Sequence, residues 1–145
     1  MTRKKHIVDT LARLAAVKEQ QATLAAGRAA DAERAALAAA QALEVEEQSG
    51  EAQLTGQGTL GTVERELLWA HRTWVQRERV ITEERLALTA QQVAEAQARL
   101  EARKRDTRIR ENVRDHVGRS EHAEREYKSQ KELDEIATMR FTPKP

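Results

Sequence analysis

Four histidines and a run of arginines are the residues with which this chain could do chemistry, and their spacing does not assemble a reaction centre. His6, His71, His116 and His122 share no metal-ligand spacing, and neither a glycine-rich phosphate loop nor a nucleophile motif is present. His122 and Glu126 stand one helical turn apart. With no apolar surroundings to build a pocket, they read as a surface pair. No paired carboxylates sit where general acid–base work would need them. Cysteine is absent, which removes thiolate and disulfide chemistry and agrees with a reducing compartment. The expectation is a protein that is no enzyme and holds no metal or cofactor.

Binding chemistry is better represented. The stretch Arg99 to Arg119 carries eight Lys/Arg against four acidic residues. Arg99, Arg103, Arg110 and Arg114 fall within about 60° of one helix face. Such a stripe is a solvated face, a dock for an acidic protein surface, or a track for phosphate backbones. The last use is the least supported, because no aromatic is interleaved to stack bases and the formal net charge is only +1. No nucleic-acid partner is expected. Trp69 and Trp74 are half of the aromatic residues. Trp74 lies on a heptad line and is expected in the core. Trp69 is about 200° around the helix from Leu67, so it points elsewhere, either as a recognition residue or as cover for Leu54 and Leu60.

The elements that must position these residues follow from punctuation. Gly, Ser and Thr cluster at Ser49 to Thr62, Pro is confined to Pro143 and Pro145, and only Gly27 and Gly118 interrupt the arms on either side. Charged residues make up 34% of the chain and aromatics 3%, a profile of long helices or coiled coil rather than of a globular core. The sequence therefore predicts an all-α fold: two long helices forming an antiparallel coiled-coil hairpin, the second longer. Helix 2–48, turn 49–61, helix 62–140 and tail 141–145 make one hairpin over residues 1–145.

In the first arm Ile7, Leu11, Leu14, Val17 and Leu24 form one narrow apolar stripe. It thins into Ala25 to Ala42, where 11 of 18 residues are alanine, read either as a solvated spacer or as a close-packed seam. The second arm opens with Thr62 as N-cap, followed by Glu64 and Glu66. Its line Leu67, Trp74, Ile81 and Leu88 repeats every seven residues, and Leu86, Val93 and Leu100 carry the interval on a neighbouring line. The positions between, including His71, Glu78, Arg85 and Gln92, are polar, so the seam is modest in stability. With Gln48 opposite Thr62, the first arm would start beside Ile109 and the last turns of the second would project as a charged single helix. No apolar run reaches membrane-spanning length and no secretion signal appears, so a cytoplasmic protein is expected.

The run Gln130, Lys131, Glu132, Leu133, Asp134, Glu135, Ile136, followed by Arg140, resembles the C-terminal signature of the FliJ family of flagellar type III export proteins. The YscO-type injectisome stalk proteins are its close relatives. Length, the basic start at Arg3 to Lys5 with Leu11 and Leu14 following, the tandem helices and the sparse aromatics agree with that family. Two tryptophans near a glycine-rich turn depart from its usual tyrosine or phenylalanine.

The resemblance implies a stalk that enters the hexameric export ATPase, contacts the export gate protein and meets export chaperones. Such a protein is cytoplasmic and reaches the cytoplasmic face of the inner membrane through the gate. The ATPase end would combine Arg3, Lys4, Lys5 and Arg13 with Lys131, Glu132, Asp134, Glu135 and Arg140. The gate end would present Leu43, Val45, Trp69 and Trp74. The alternative from the residues alone is a scaffold that self-associates through Leu67, Trp74, Ile81 and Leu88 and has no ATPase partner.

Overall fold

The computed structural model describes residues 2–56, 58 and 61–141. Two helices, α1 (Arg3–Thr55) and α2 (Thr62–Phe141), pack against each other as an all-α hairpin, and no strand occurs among the described residues. Packing divides the chain into two units, one of Met1–Gln20 with Glu101–Pro145 and one of Gln21–Leu100. In the first, Thr2 bonds Glu121 and Thr107 bonds the Ala15 carbonyl. In the second, Glu47 pairs with Arg79 and Glu51 with Arg72. Numbers rise on one helix as they fall on the other, so the helices run antiparallel in each unit.

Local chemistry sets the helix ends. Thr2 caps α1, its hydroxyl accepting the Lys5 amide at 3.2 Å while its carbonyl accepts that of His6 at 3.1 Å. At the start of α2 the Gly61 carbonyl accepts the Arg65 amide at 3.0 Å, which makes Gly61 the N-cap and moves Thr62 into the first turn. The Glu64 carboxylate folds back onto Gly61, where a side chain would collide with it.

The first helix does not stop at Gln48 as expected. It continues about two turns further to Thr55, and the Gly56 amide closes the last turn on the Ala52 carbonyl at 2.9 Å. Gly50, which reads as a breaker, lies inside the helix because the His71 ring of α2 occupies the place of its missing Cβ. A tertiary contact thus offsets a helix penalty of about 1 kcal/mol. The reversal follows at Gly58, whose φ of 90° favours glycine. Residues 57, 59 and 60 and the tail 142–145 lie outside the described residues.

The seam is made of small residues. On α1 one unbroken line of buried and half-buried positions steps by three and four: Val8, Ala12, Ala15, Glu19, Ala22, Ala26, Ala29, Glu33, Ala36, Ala40, Leu43, Glu47, Gly50 and Leu54. The alanine stretch is therefore a packed seam and not a solvated spacer. On α2 the matching lines are Leu68, Val75, Thr82, Thr89, Ala96 and Arg79, Leu86, Val93, Leu100, Thr107. The Leu86, Val93, Leu100 set is thus part of the interface.

The Leu67, Trp74, Ile81, Leu88 line is not. Its members are 46 to 54% exposed, and the residue after each of them packs instead. Ile7, Leu14, Val17 and Leu24 are likewise exposed, with only Leu11 of that stripe half-buried. Alanine on α1 lets the two backbones approach closely, so a leucine enters the seam only opposite small side chains, as Leu100 does against Ala26, and the other large side chains flank the contact. The buried Thr107 hydroxyl reaches the Ala15 carbonyl at 3.2 Å across this short gap.

Two glycines in the helix interiors have neither a turn nor a neighbour to justify them. A Cβ at Gly27 or Gly118 would meet nothing within 4 Å. Gly27→Ala and Gly118→Ala are each expected to stabilise the protein by about 1 kcal/mol, read as a higher midpoint in helicity-monitored thermal unfolding. A lower midpoint for either would mean that its backbone is approached more closely than the described geometry has it.

Candidate functional site

In the first unit the helices part company at Thr2 and Glu121. From His122 to Phe141 every residue of α2 is exposed. The expected register, with the chain start near Ile109, is displaced by about three turns, because α1 runs past Gln48 and its seam takes the small residues instead of the large ones. The projecting segment is correspondingly shorter than expected.

The side chains of this segment explain why it is bare. Extending the α2 seam lines by sevens past Val117 and Glu121 gives Glu124, Lys128, Lys131, Glu135 and Thr138, all polar. A helix laid along that line would find nothing apolar to bury. Leu133, 61% exposed, lies about 160° around the helix from Lys131 and beside Ile136, 48% exposed. The apolar face has moved to another side of the helix from the one that served α1.

Side chains along the segment bond locally. Gln130 Nε2 lies 3.5 Å from Asp134 Oδ1, and the Thr138 hydroxyl donates to the Asp134 carbonyl at 2.8 Å. His122 Nε2 and Glu126 Oε1 stand 3.0 Å apart with both side chains exposed, a surface pair. Lys131, Glu132, Asp134, Glu135 and Arg140 are all exposed on this segment.

Of the basic residues assigned to the same end, Arg3, Lys4 and Arg13 are exposed, and Lys5 is half-buried beside Arg114, Asp115 and Arg119. They are not side by side with the signature. Lys131 stands about 15 Å along the helix from Glu121, the residue that Thr2 touches.

The basic stripe is partly engaged. Arg103 and Arg110 sit on the extension of the Leu68 seam line, and Arg110 Nε lies 3.7 Å from Asp106. Arg114 is 3.8 Å from Asp115. Arg99, in the other unit, is exposed. At these distances the ion pairs are loose and solvent-screened, which leaves the guanidinium groups available to another partner.

In the second unit the four residues assigned to a gate contact are not gathered on one surface, although Leu43 and Trp74 border a common groove. Leu43 is half-buried in the seam and Val45 is 64% exposed. Trp69 is 71% exposed and lines a shallow surface with Arg72, Gln76 and Val80. Of its two proposed covers, Leu54 is half-buried and Leu60 lies outside the described residues. Trp74 is 46% exposed rather than core, because Leu68 and Val75 take the seam.

The Trp74 ring tilts against His71, centroids 6.2 Å apart at 31°. His71 is held over Gly50 with Nε2 3.5 Å from the Glu47 carbonyl. This Gly50, His71, Trp74 stack had no signature in the sequence beyond a glycine that ought to break a helix. Beside it, Ala39, Ala42 and Leu43 of α1 and Trp74, Ile81 and Arg85 of α2 border an open groove.

Among the described residues no three His, Cys, Asp or Glu side chains come together as a metal site, and no helix is long and apolar enough to cross a membrane. Comparison with protein-family models, curated proteins and solved structures finds no match to this chain.

Proposed function

We propose that this protein is a non-enzymatic stalk of the flagellar type III export apparatus, working in the cytoplasm. Its C-terminal segment seats in the hexameric export ATPase, and its tryptophan-bearing unit meets the export gate. The observation that carries the reading is the exposed helix from His122 to Phe141, whose seam positions are polar while Leu133 and Ile136 face elsewhere. A helix of this kind is built to be gripped by something other than its own first arm.

The KELDEI run that resembles the FliJ signature falls on this segment. It places Lys131 before three acidic side chains, Glu132, Asp134 and Glu135, all exposed, so a ring of basic side chains can exchange weak pairs with them without locking one register. Each such pair contributes little, and the apolar pair supplies the anchor. The loose basic stripe and Arg3, Lys4, Lys5 and Arg13 would contact acidic surfaces nearer the mouth of the ring.

The test measures binding to purified ATPase by this protein with Glu132, Asp134 and Glu135 replaced together by alanine, and separately with Leu133→Asp and Ile136→Asp combined. Because these side chains pack against no other helix, the helical content and melting midpoint should stay within error. Association with the ATPase, and any stimulation of ATP hydrolysis, should fall at least about tenfold in the aspartate pair. Unchanged association in both variants would remove the segment from the interface and the stalk assignment with it.

A further inference from the structure

We infer that the second unit pairs with a second copy of itself, antiparallel, along the Leu67, Trp74, Ile81, Leu88 line. This goes beyond the export reading and does not depend on it. The four residues repeat at sevens on α2 and are each about half exposed, although they are among the largest apolar side chains of the unit. The residue after each one, Leu68, Val75, Thr82 and Thr89, is already turned into the seam with α1. The apolar line therefore borders the hairpin contact, and its middle members Trp74 and Ile81 edge an open groove that Ala39 and Ala42 line with small side chains and Glu46 and Glu78 with carboxylates.

Charge decides what can lie there. Taking the line as the d positions of a heptad, the a positions are His71, Glu78, Arg85 and Gln92, and the free flanking g positions are Ala70, Arg77, Glu84 and Gln91. A parallel copy would set Glu78 on Glu78 and Arg85 on Arg85 in the centre of the contact, which is repulsive twice.

An antiparallel copy reverses this. Each a position meets a d position, so Arg85 of one copy lies over the Trp74 ring of the other, Glu78 lies beside Ile81 and His71 beside Leu88. On the flank, Arg77 of one copy crosses Glu84 of the other, and the two-fold axis makes each contact occur twice. Arg77, Glu84 and Arg85 are exposed, and no ion pair engages them among the described residues. The line is self-complementary in one direction only. Its polar a positions make the pair concentration-dependent, and pairing covers Trp74 while leaving Trp69 open.

Because the chain has no cysteine, introduced thiols report the geometry without background. The Arg77→Cys and Glu84→Cys variants, mixed under mild oxidation, should give a crosslinked heterodimer, with little homodimer from either variant alone. In sedimentation, Arg77→Glu should weaken self-association about tenfold, and Arg77→Glu combined with Glu84→Arg should restore it. Both positions are exposed, so helicity serves as the control for folding. A monomer at every concentration with no crosslink would overturn the proposal. Efficient homodimer formation by the Arg77→Cys variant alone would overturn the antiparallel arrangement, as would a double reversal that fails to recover.

Discussion

Replacing Val75 with aspartate is expected to cost about 3 kcal/mol or more and to lower the thermal midpoint on the order of 10 °C. Val75 is 2% exposed, the most deeply covered apolar side chain among the described residues. It lies in the seam between Leu68 and Thr82, and the acidic Glu47 of the facing helix is already occupied by Arg79. A carboxylate there would lose its hydration, and the cations one turn away on its own helix, Arg72 and Arg79, are already engaged by Glu51 and Glu47. It would either force the helices apart or stay protonated, and both outcomes destabilise the pair.

The informative control is Leu88→Asp. Leu88 belongs to the line that strict sevens single out, but it is 54% exposed in the hairpin, so in dilute solution, below self-association, about 1 kcal/mol or less should be lost. Circular dichroism melts of the two variants decide the register directly. Equal losses would mean that the seam runs through Leu88 as well and that the one-residue offset is wrong.

That offset shows which part of the fold was legible. Two helices and one reversal follow from where glycine and proline are absent, and the heptad interval is visible in both Leu67 to Leu88 and Leu86 to Leu100. Which of the two lines faces the partner was not, because hydrophobic size is a poor guide when the opposing helix is mostly alanine. A reader weighting large aliphatics chooses Ile7, Leu14, Val17 and Leu24 on α1 and Leu67, Trp74 and Ile81 on α2, and each of these is exposed. The alanines, glutamates and threonines that actually step by three and four, such as Ala12, Ala15, Glu19 and Ala22, look like filler or solvated face.

The same substitution of small for large explains the slipped register. With Gly50 admitted into α1 by His71, the first helix lengthens, and the start of the chain moves from Ile109 to Glu121. At the C-terminal segment the sequence was more informative, since its charge density announces exposure. What it concealed was the direction of Leu133 and Ile136, which becomes meaningful only once the seam line is fixed elsewhere.

A seam of this composition concentrates its stability in few side chains, and Leu100 is the case with the largest expected truncation effect. Leu100, 8% exposed, packs in one cluster with Ala26 and Ala96, with Ala22 and Ala29 against it. It is the one large side chain there. Leu100→Ala should therefore cost about 2 to 3 kcal/mol, at the lower end for buried leucine because helices joined by alanine can settle partly into the space.

Ala26→Leu alone should also destabilise, by about 1 to 3 kcal/mol, since the added atoms must displace the Leu100 side chain or separate the helices. Together the two changes move one isobutyl group from α2 to α1 across the same contact and conserve its volume. The double variant should then recover at least about half of the summed loss, a coupling on the order of 1 to 2 kcal/mol in a thermodynamic cycle. Additive losses would place Ala26 and Leu100 out of contact and would dissolve the antiparallel register on which the exposed faces of this unit are assigned.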